Sequence, residues 1–98
     1  MRTPEIILLI DEREHVRDAV ARPYAQAGAY VEALASCAEA IDFLVAFRPD
    51  WILVDERQAA DLLFWLRNQD DRRDVPVVLL PDLEIPDRER RGEEPKAA

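Results

Sequence analysis

The chain has 98 residues, which is enough for one small domain. It carries 13 Lys and Arg residues against 21 Asp and Glu residues, so its formal net charge at pH 7 is -8. This acidic balance argues against nonspecific binding to nucleic acid or to anionic membranes, because both need clustered positive charge. The longest apolar run is too short to cross a bilayer, and the single Cys37 cannot form an internal disulfide, so we expect a cytoplasmic protein.

Four short segments predict β-strands. The first, at residues 6–10, is continuously apolar, as in a parallel sheet whose two faces are both covered by helices. The others lie at residues 30–34, 51–54 and 75–80. Pro76 stands near the start of the last one, where a missing backbone N–H is tolerated.

Two helices are predicted between the first three strands. Residues 14–27 place apolar side chains at helical spacing, and Gly28 is well placed to end that helix. Ser36 and Glu39 read as a capping box that opens a second helix, which runs to about Phe47. The residues expected to face the sheet from this helix are Ala40, Ile41, Leu44 and Val45.

A third helix is predicted after the third strand. Residues 56–61 read as a short loop, and the apolar run at 62–66 then reads as a helix with apolar side chains nearly all round. One buried face needs only Leu62, Trp65 and Leu66, so the helix carries more apolar surface than one face can bury. We therefore predict an interface formed by Leu63, Phe64 and Trp65.

The order of these elements predicts an α/β fold. Strands that alternate with helices give a three-layer, doubly wound parallel sheet, here shortened to about four strands and three helices. We assign residues 1–80 to this domain. Residues 81–98 are rich in charge and proline and lack apolar periodicity, so we predict a C-terminal tail there.

Acidic side chains follow two of the predicted strands. Asp11 and Glu12 come directly after the first strand, and Asp55 follows the third. In open parallel sheets the carboxyl ends of the strands meet at one edge, which is where ligands bind. The sequence therefore predicts that three carboxylates converge at that edge.

The segments around these carboxylates resemble the receiver domains of two-component response regulators. Residues 8–20 look like the first strand, acidic pair and first helix of that family, and residues 48–55 resemble the segment that ends in its phosphoacceptor aspartate. Residues 75–80 look like its fourth strand, and the whole match runs over residues 6–80. The resemblance implies a flavodoxin/receiver-like fold.

The resemblance also implies roles for individual residues. Asp55 would accept a phosphoryl group from the phosphohistidine of a sensor histidine kinase. Asp11, Glu12 and Asp55, with the backbone carbonyl of Arg57, would hold Mg²⁺, which prefers hard oxygen ligands. Family members more often have Asp where Glu12 stands. The longer side chain of Glu12 is expected to weaken the binding of the ion.

Three departures from the family pattern affect the phosphate-reading groups. The loop after Asp55 lacks the Met-Pro and Asp-Gly residues of the family, and Pro81 stands where a Ser or Thr would bind the phosphoryl group. The only lysine, Lys96, lies in the predicted tail, so the family lysine has no counterpart. The fourth helix, fifth strand and fifth helix are also absent.

Two functions follow from this pattern of retained and missing residues. One is an atypical receiver that acts as a protein-interaction module, with weak or no phosphorylation. The other is a minimal receiver that takes phosphate on Asp55. We do not expect an enzyme, because an aspartyl phosphatase would need a second aspartate two residues after the first, and Arg57 and Arg13 stand at those positions.

The missing fifth strand also predicts self-association. Without it the fourth strand becomes a sheet edge, and edges are normally covered. We expect a homodimer built through the third helix and fourth strand. The alternative is a monomer in which the tail covers that edge with Leu83 and Ile85.

Overall fold

The computed structural model describes residues 3–80 as one parallel sheet with helices on both faces. The elements are β1 (Ile6–Ile10), α1 (Glu14–Gln26), β2 (Tyr30–Leu34), α2 (Cys37–Ala46), β3 (Trp51–Asp55), α3 (Glu56–Arg67) and β4 (Val77–Leu80). The strand order is β2-β1-β3-β4, and every neighbouring pair is parallel. The predicted three-layer α/β architecture is therefore confirmed. The predicted tail, with Pro81, Leu83, Ile85 and Lys96, lies outside the described residues.

The two central strands divide their side chains between two hydrophobic clusters. Successive strand residues point to opposite faces, so a sheet that is covered on both sides needs apolar residues at every position. One cluster contains Leu8, Ile10, Ile52 and Val54 together with residues of α2 and α3. The other contains Ile7, Leu9 and Leu53, with Val20 and Ala21 of α1 packed against it.

Gly28 ends the first helix as predicted. Its φ of 102° lies in the region that favours glycine, because no Cβ is present to clash. The backbone N–H of Gly28 donates to the carbonyl of Ala25, and that of Ala29 donates to the carbonyl of Tyr24, both at 3.0 Å. These bonds satisfy carbonyls at the helix end and turn the chain into β2.

Ser36 caps the second helix as predicted. Its Oγ accepts a hydrogen bond from the backbone N–H of Glu39 at 3.2 Å. The side chain of Glu39 reaches back, and its Oε1 accepts from the backbone N–H of Ala35 at 3.2 Å. This reciprocal pair fixes the start of α2 immediately after β2.

The buried face of α2 is narrower than predicted. Ala40 and Leu44 are fully buried and Ile41 is partly buried, as expected. The prediction was wrong for Val45, which is 67% exposed. Each helical residue is turned by about 100° from the one before, and only the stripe through Ala40 and Leu44 meets the sheet.

The third helix starts directly at the end of β3. Asp55 is both the last residue of the strand and the N-cap of α3. The loop predicted at residues 56–61 was therefore wrong, because those residues form the first turns of the helix. Ala59 is buried on the same face of α3 as Leu62 and Leu66. The buried face of the helix therefore begins at a small residue that precedes the apolar run at residues 62–66.

The apolar side chains of α3 outside its buried face differ in their exposure to solvent. Leu63 and Trp65 are partly buried, and Trp65 packs against the larger hydrophobic cluster. Phe64 is 74% exposed. Of the three residues predicted at an interface, Phe64 alone has a mostly exposed side chain.

The last described strand is shorter than predicted. It begins at Val77, because Pro76 has no backbone N–H, although the carbonyl of Pro76 accepts from Ile52 at 2.9 Å. Among the described residues β4 pairs only with β3, and both Val78 and Leu79 are exposed. Within residues 3–80, no helix is both long and apolar enough to span a bilayer.

Candidate functional site

Asp11 and Asp55 are neighbours at the carboxyl edge of the sheet. The β1–β3 register pairs Ile10 with Val54, so the next residue of each strand stands beside the other. Adjacent strands lie about 4.8 Å apart, which brings the two carboxylates close. Asp11 is 0% exposed and Asp55 is 7% exposed, and they are the two buried charged residues in the described part of the chain. The predicted convergence is present for this pair.

Arg13 holds the Asp11 carboxylate at both oxygens. Oδ1 accepts from the backbone N–H and from Nε of Arg13, each at 2.9 Å, and Oδ2 accepts from Nη2 at 2.8 Å. Burial on its own would raise the pKa of Asp11. The hydrogen bonds from Arg13, with the positive charges of Arg13 and Arg57, outweigh burial and leave the pKa of Asp11 below its ordinary value.

Asp55 is also held by guanidinium groups. Its Oδ2 accepts from Nε of Arg57 at 2.8 Å, and its Oδ1 lies 3.9 Å from Nη2 of Arg13. The Nη1 of Arg57 is 3.6 Å from Oε2 of Glu12, whose side chain is exposed. Arg57 thus joins the third predicted carboxylate to the pair.

A further arginine fixes the backbone between β1 and α1. Nη1 of Arg17 donates to the carbonyls of Asp11 and Glu12, at 2.8 and 3.1 Å. Arg17 lies one helical turn into α1, so its side chain folds back over the start of the helix. The edge of the sheet therefore combines three carboxylates with three guanidinium groups.

Arginine side chains contact the predicted metal ligands in this arrangement. Carboxylate oxygens are the ligand type that Mg²⁺ prefers. Within residues 3–80, however, no group of three or more His, Cys, Asp or Glu side chains is arranged to hold an ion. Guanidinium groups contact both Asp11 and Asp55. The ligand set of Asp11, Glu12, Asp55 and the Arg57 carbonyl stays a prediction.

The contacts of the Arg13 and Arg57 side chains with the buried aspartates were not predicted from the sequence. The signal was present, because the tripeptide Asp-Glu-Arg occurs at the end of β1 and again at the end of β3. In both copies the arginine stands two residues after the buried aspartate and binds back to it. A repeated acid–base spacing at two adjacent strand ends is thus a signal for internal ion pairs.

Gln58 was also missed, and it ties α3 to the start of α2. Its Oε1 accepts from the backbone N–H of Cys37 at 2.8 Å, and its Nε2 donates to the carbonyl of Ala35 at 3.1 Å. Cys37 packs beside the larger hydrophobic cluster. Burial, with a smaller contribution from the charge of Asp61, raises the pKa of the Cys37 thiol. This environment favours a small packed residue over a reactive thiol.

Comparison with known proteins identifies the fold. No protein-family description and no curated protein matches the chain. The chemotaxis response regulator CheY4 of Vibrio cholerae is 23% identical and superposes with a TM-score of 0.73, over 79% of this chain and 68% of that one. The signal receiver domain of a signal transduction histidine kinase from Syntrophus aciditrophicus is 30% identical, with a TM-score of 0.71, over 78% of this chain and 61% of that one.

The resemblance to receiver domains is therefore confirmed at the level of the fold. The matched region spans about two-thirds of the length of these two structures, at 68% and 61%. Within residues 3–80 the sheet has four strands and three helices, and Asp55 ends the third strand. The described residues therefore have the fold of CheY-like receiver domains.

Proposed function

We propose that the chain is an atypical receiver-like module of two-component signalling that acts by binding other signalling proteins, with weak or no phosphorylation. The observation that carries this proposal is that Asp11 and Asp55 are both buried and already bound by arginine side chains. A receiver of this kind keeps a preformed surface and does not depend on a phosphoryl group to create it.

Two properties of Asp55 support weak phosphorylation. A carboxylate oxygen must attack the phosphorus of the donor, and Oδ2 of Asp55 accepts a charge-assisted hydrogen bond from Arg57. The residue is also largely enclosed. In addition, Pro81 stands where the family places Ser or Thr, so a hydroxyl that would bind the phosphoryl group is replaced.

The second candidate is a minimal receiver that takes phosphate on Asp55. It is favoured by the positive charge beside that residue, because phosphoryl transfer mainly needs charge neutralisation and alignment. The Arg57 side chain is 58% exposed, so its guanidinium is accessible to a phosphoryl donor that approaches Asp55. In this function an oxygen of Asp55 bonds to phosphorus as the phosphorus–nitrogen bond of the donor phosphohistidine breaks.

The partners that fit the proposal are a sensor histidine kinase or another signalling protein, in the cytoplasm. Self-association through α3 and β4 belongs to the same proposal, because Phe64, Val78 and Leu79 are exposed there. We propose no nucleic-acid partner and no membrane partner. Any Mg²⁺ at Asp11, Glu12, Asp55 and the Arg57 carbonyl is proposed to bind weakly.

Acetyl phosphate distinguishes the two functions. The wild type, Asp55→Asn and the exposed control Asp42→Asn are incubated with acetyl phosphate and Mg²⁺, and intact mass is measured. We expect little or no phosphoryl group that depends on Asp55. Near-complete labelling that is lost only in Asp55→Asn, with changes in backbone NMR shifts beyond β3 and α3, would contradict the interaction-only function and establish the second one.

The binding half of the proposal needs its own measurement. Tagged wild type and Asp55→Asn chains are produced in the native cells, and two-component proteins that copurify with each are quantified by mass spectrometry. We expect the same kinase or regulator with both chains in equal yield. Recovery with the wild type alone, and only after phosphate donor is added, would show that binding depends on phosphorylation.

A further inference from the structure

We infer that Arg13 and Arg57 are built-in counter-ions that take the place of a divalent cation at the carboxyl edge of the sheet and keep such cations out. The inference rests on the same site as the proposed function and explains why that site does not depend on metal or phosphate. It makes a separate claim, about the metal affinity of the isolated chain.

Arg13 makes contacts that resemble those of a bridging cation. Its guanidinium binds both oxygens of Asp11, and its Nη2 is 2.8 Å from Oδ2 of Asp11 and 3.9 Å from Oδ1 of Asp55. The Arg13 side chain is 14% exposed, so the group lies in the site rather than over it. One cation therefore sits between the two buried carboxylates.

Arg57 supplies the second charge. Its Nε binds Asp55 at 2.8 Å, and its Nη1 lies 3.6 Å from the Glu12 carboxylate. Each carboxylate predicted to hold the ion therefore has a guanidinium partner. Together the two arginines carry the same charge as one divalent ion.

The local backbone prepares Arg13 for this role. Oδ1 of Asp11 accepts from the backbone N–H of Arg13, which closes a tight turn between β1 and α1. The same turn directs the Arg13 side chain back over the aspartate, where Nε binds the same oxygen. The ion pair is formed within one turn of chain and needs no rearrangement elsewhere.

A divalent cation must compete with these groups. Mg²⁺ demands near-octahedral oxygen geometry at short distance, so the guanidinium groups would have to leave Asp11 and Asp55 first. Arginine stays charged at any ordinary pH, so it cannot yield by losing a proton. If the arginines stayed near the site, their positive charges would strongly repel a bound cation.

Ordinary surface ion pairs would not have this effect. Exposed pairs contribute little and exchange readily with ions and water. Asp11 is fully buried, so the loss of Arg13 leaves a carboxylate whose negative charge is no longer compensated. This burial predicts that a metal ion binds when the arginines are removed.

The test is a Mn²⁺ titration followed by electron paramagnetic resonance, because Mn²⁺ takes the same oxygen ligands as Mg²⁺ and the signal reports the free ion. The chains are the wild type, Arg57→Met, Arg13→Met and the double variant. The control is Arg67→Met, which removes the same charge from the exposed last turn of α3. We expect weak binding by the wild type and the control, and binding about tenfold tighter or more after removal of either site arginine.

Two results would overturn the inference. One is a wild type that binds Mn²⁺ as tightly as the Arg57→Met and double variants. The other is site variants whose affinity stays equal to that of Arg67→Met. Introducing Asp11→Asn into the Arg57→Met variant must also abolish any gain, because it removes a carboxylate ligand.

Melting temperature provides a second readout, since Arg13→Met leaves Asp11 without its partner and destabilises the chain. Mg²⁺ is expected to raise the melting temperature of Arg13→Met and to leave that of the wild type unchanged. If Arg13→Met is unfolded even with Mg²⁺, the Arg57→Met variant, whose altered side chain is largely exposed, decides the question.

The outcome is separable from that of the proposed function. If the variants gain no metal affinity while acetyl phosphate leaves the wild type unlabelled, the counter-ion inference fails and the proposed function stands. If the variants gain metal affinity while the wild type is phosphorylated on Asp55, the counter-ion inference stands and the interaction-only function fails.

Discussion

Asp11 is the described residue whose burial costs most, because it is a charged group with no solvent exposure. Removing a carboxylate from water costs several kcal/mol. This cost is offset here by the bidentate hydrogen bonds from the Arg13 guanidinium and by the hydrogen bond from the backbone N–H of Arg13. The pair therefore contributes little net stability. The loss of one partner, in contrast, leaves the full cost of burial.

We expect Arg13→Met to lower the free energy of unfolding by about 3 kcal/mol, which is typical when one member of a buried ion pair is removed. The double variant Asp11→Leu with Arg13→Met should recover most of this loss, because no buried charge then remains. Urea denaturation followed by circular dichroism measures both. Arg67→Met is the matched control and should stay within about 0.5 kcal/mol of the wild type. A loss that the double variant does not recover would show that Arg13 acts mainly through packing.

The Cys37 thiol gives a prediction in the pH profile of alkylation. Its pKa is raised above its ordinary value of 9.0, first by burial and then by the charge of Asp61. Since the thiolate is the reactive form, alkylation by iodoacetamide at pH 7 should be slower than for an unstructured cysteine peptide. The midpoint of the profile of rate against pH should lie above 9.0. Asp61→Asn should shift the profile to lower pH, and a fast reaction at neutral pH would contradict the assigned environment.

The positions of Asp11 and Asp55 were predictable, whereas their partners were not. Each aspartate follows a continuous apolar run, and parallel strands bring such ends together. An arginine side chain has several rotatable bonds, and neither period nor propensity fixes its direction. The return of Arg13 and Arg57 to the aspartates becomes evident only once the turn after each strand is known.

Gln58 joins two elements that the sequence treats as independent. It accepts from a backbone N–H in the first turn of α2, which has no partner within its own helix, and donates to the carbonyl of Ala35. The start of α3 and the start of α2 are thereby held together beneath the carboxyl edge of the sheet.

Gln58→Ala should lower the free energy of unfolding by about 1 to 2 kcal/mol, because two partly buried backbone groups lose their partners. Gln58→Glu should also destabilise the chain, since it keeps the acceptor for Cys37 but places a carboxylate oxygen against the carbonyl oxygen of Ala35. Gln26→Ala, at the exposed end of α1, is the control and should change stability little. Urea denaturation measures all three, and equal effects for Gln58→Ala and Gln26→Ala would refute the bridging role.

The predicted element boundaries were wrong where small residues form the buried face of a helix. The sequence placed a loop at residues 56–61 because the segment is polar apart from two alanines. Ala59 nevertheless packs into the cluster with Leu62 and Leu66, and α3 begins at Glu56. Gly28 and Ser36 gave reliable boundaries, because their roles depend on the backbone rather than on hydrophobicity.

The whole molecule has two sheet edges within the described residues, at β2 and at β4. The edge at β4 differs in being apolar, since Val78 and Leu79 are both exposed there. An apolar edge strand with unpaired backbone groups tends to find a partner. Phe64 adds the most exposed large apolar side chain of α3. These features keep the predicted homodimer as a proposal with a defined surface.

We expect the wild type to be a dimer in sedimentation equilibrium, and Phe64→Glu to shift it toward monomer by at least about tenfold in dissociation constant. Leu79→Lys should act in the same direction, because it places charge on the β4 edge. Val45→Glu is the control, since Val45 is comparably exposed on α2 and outside the proposed surface. Trp65 is unsuited to this test because it packs against the core, so a charge there would lower the stability of the fold as well as affect any interface. A wild type that stays monomeric at high concentration would remove the dimer and leave the alternative, in which residues 81–98 cover the edge.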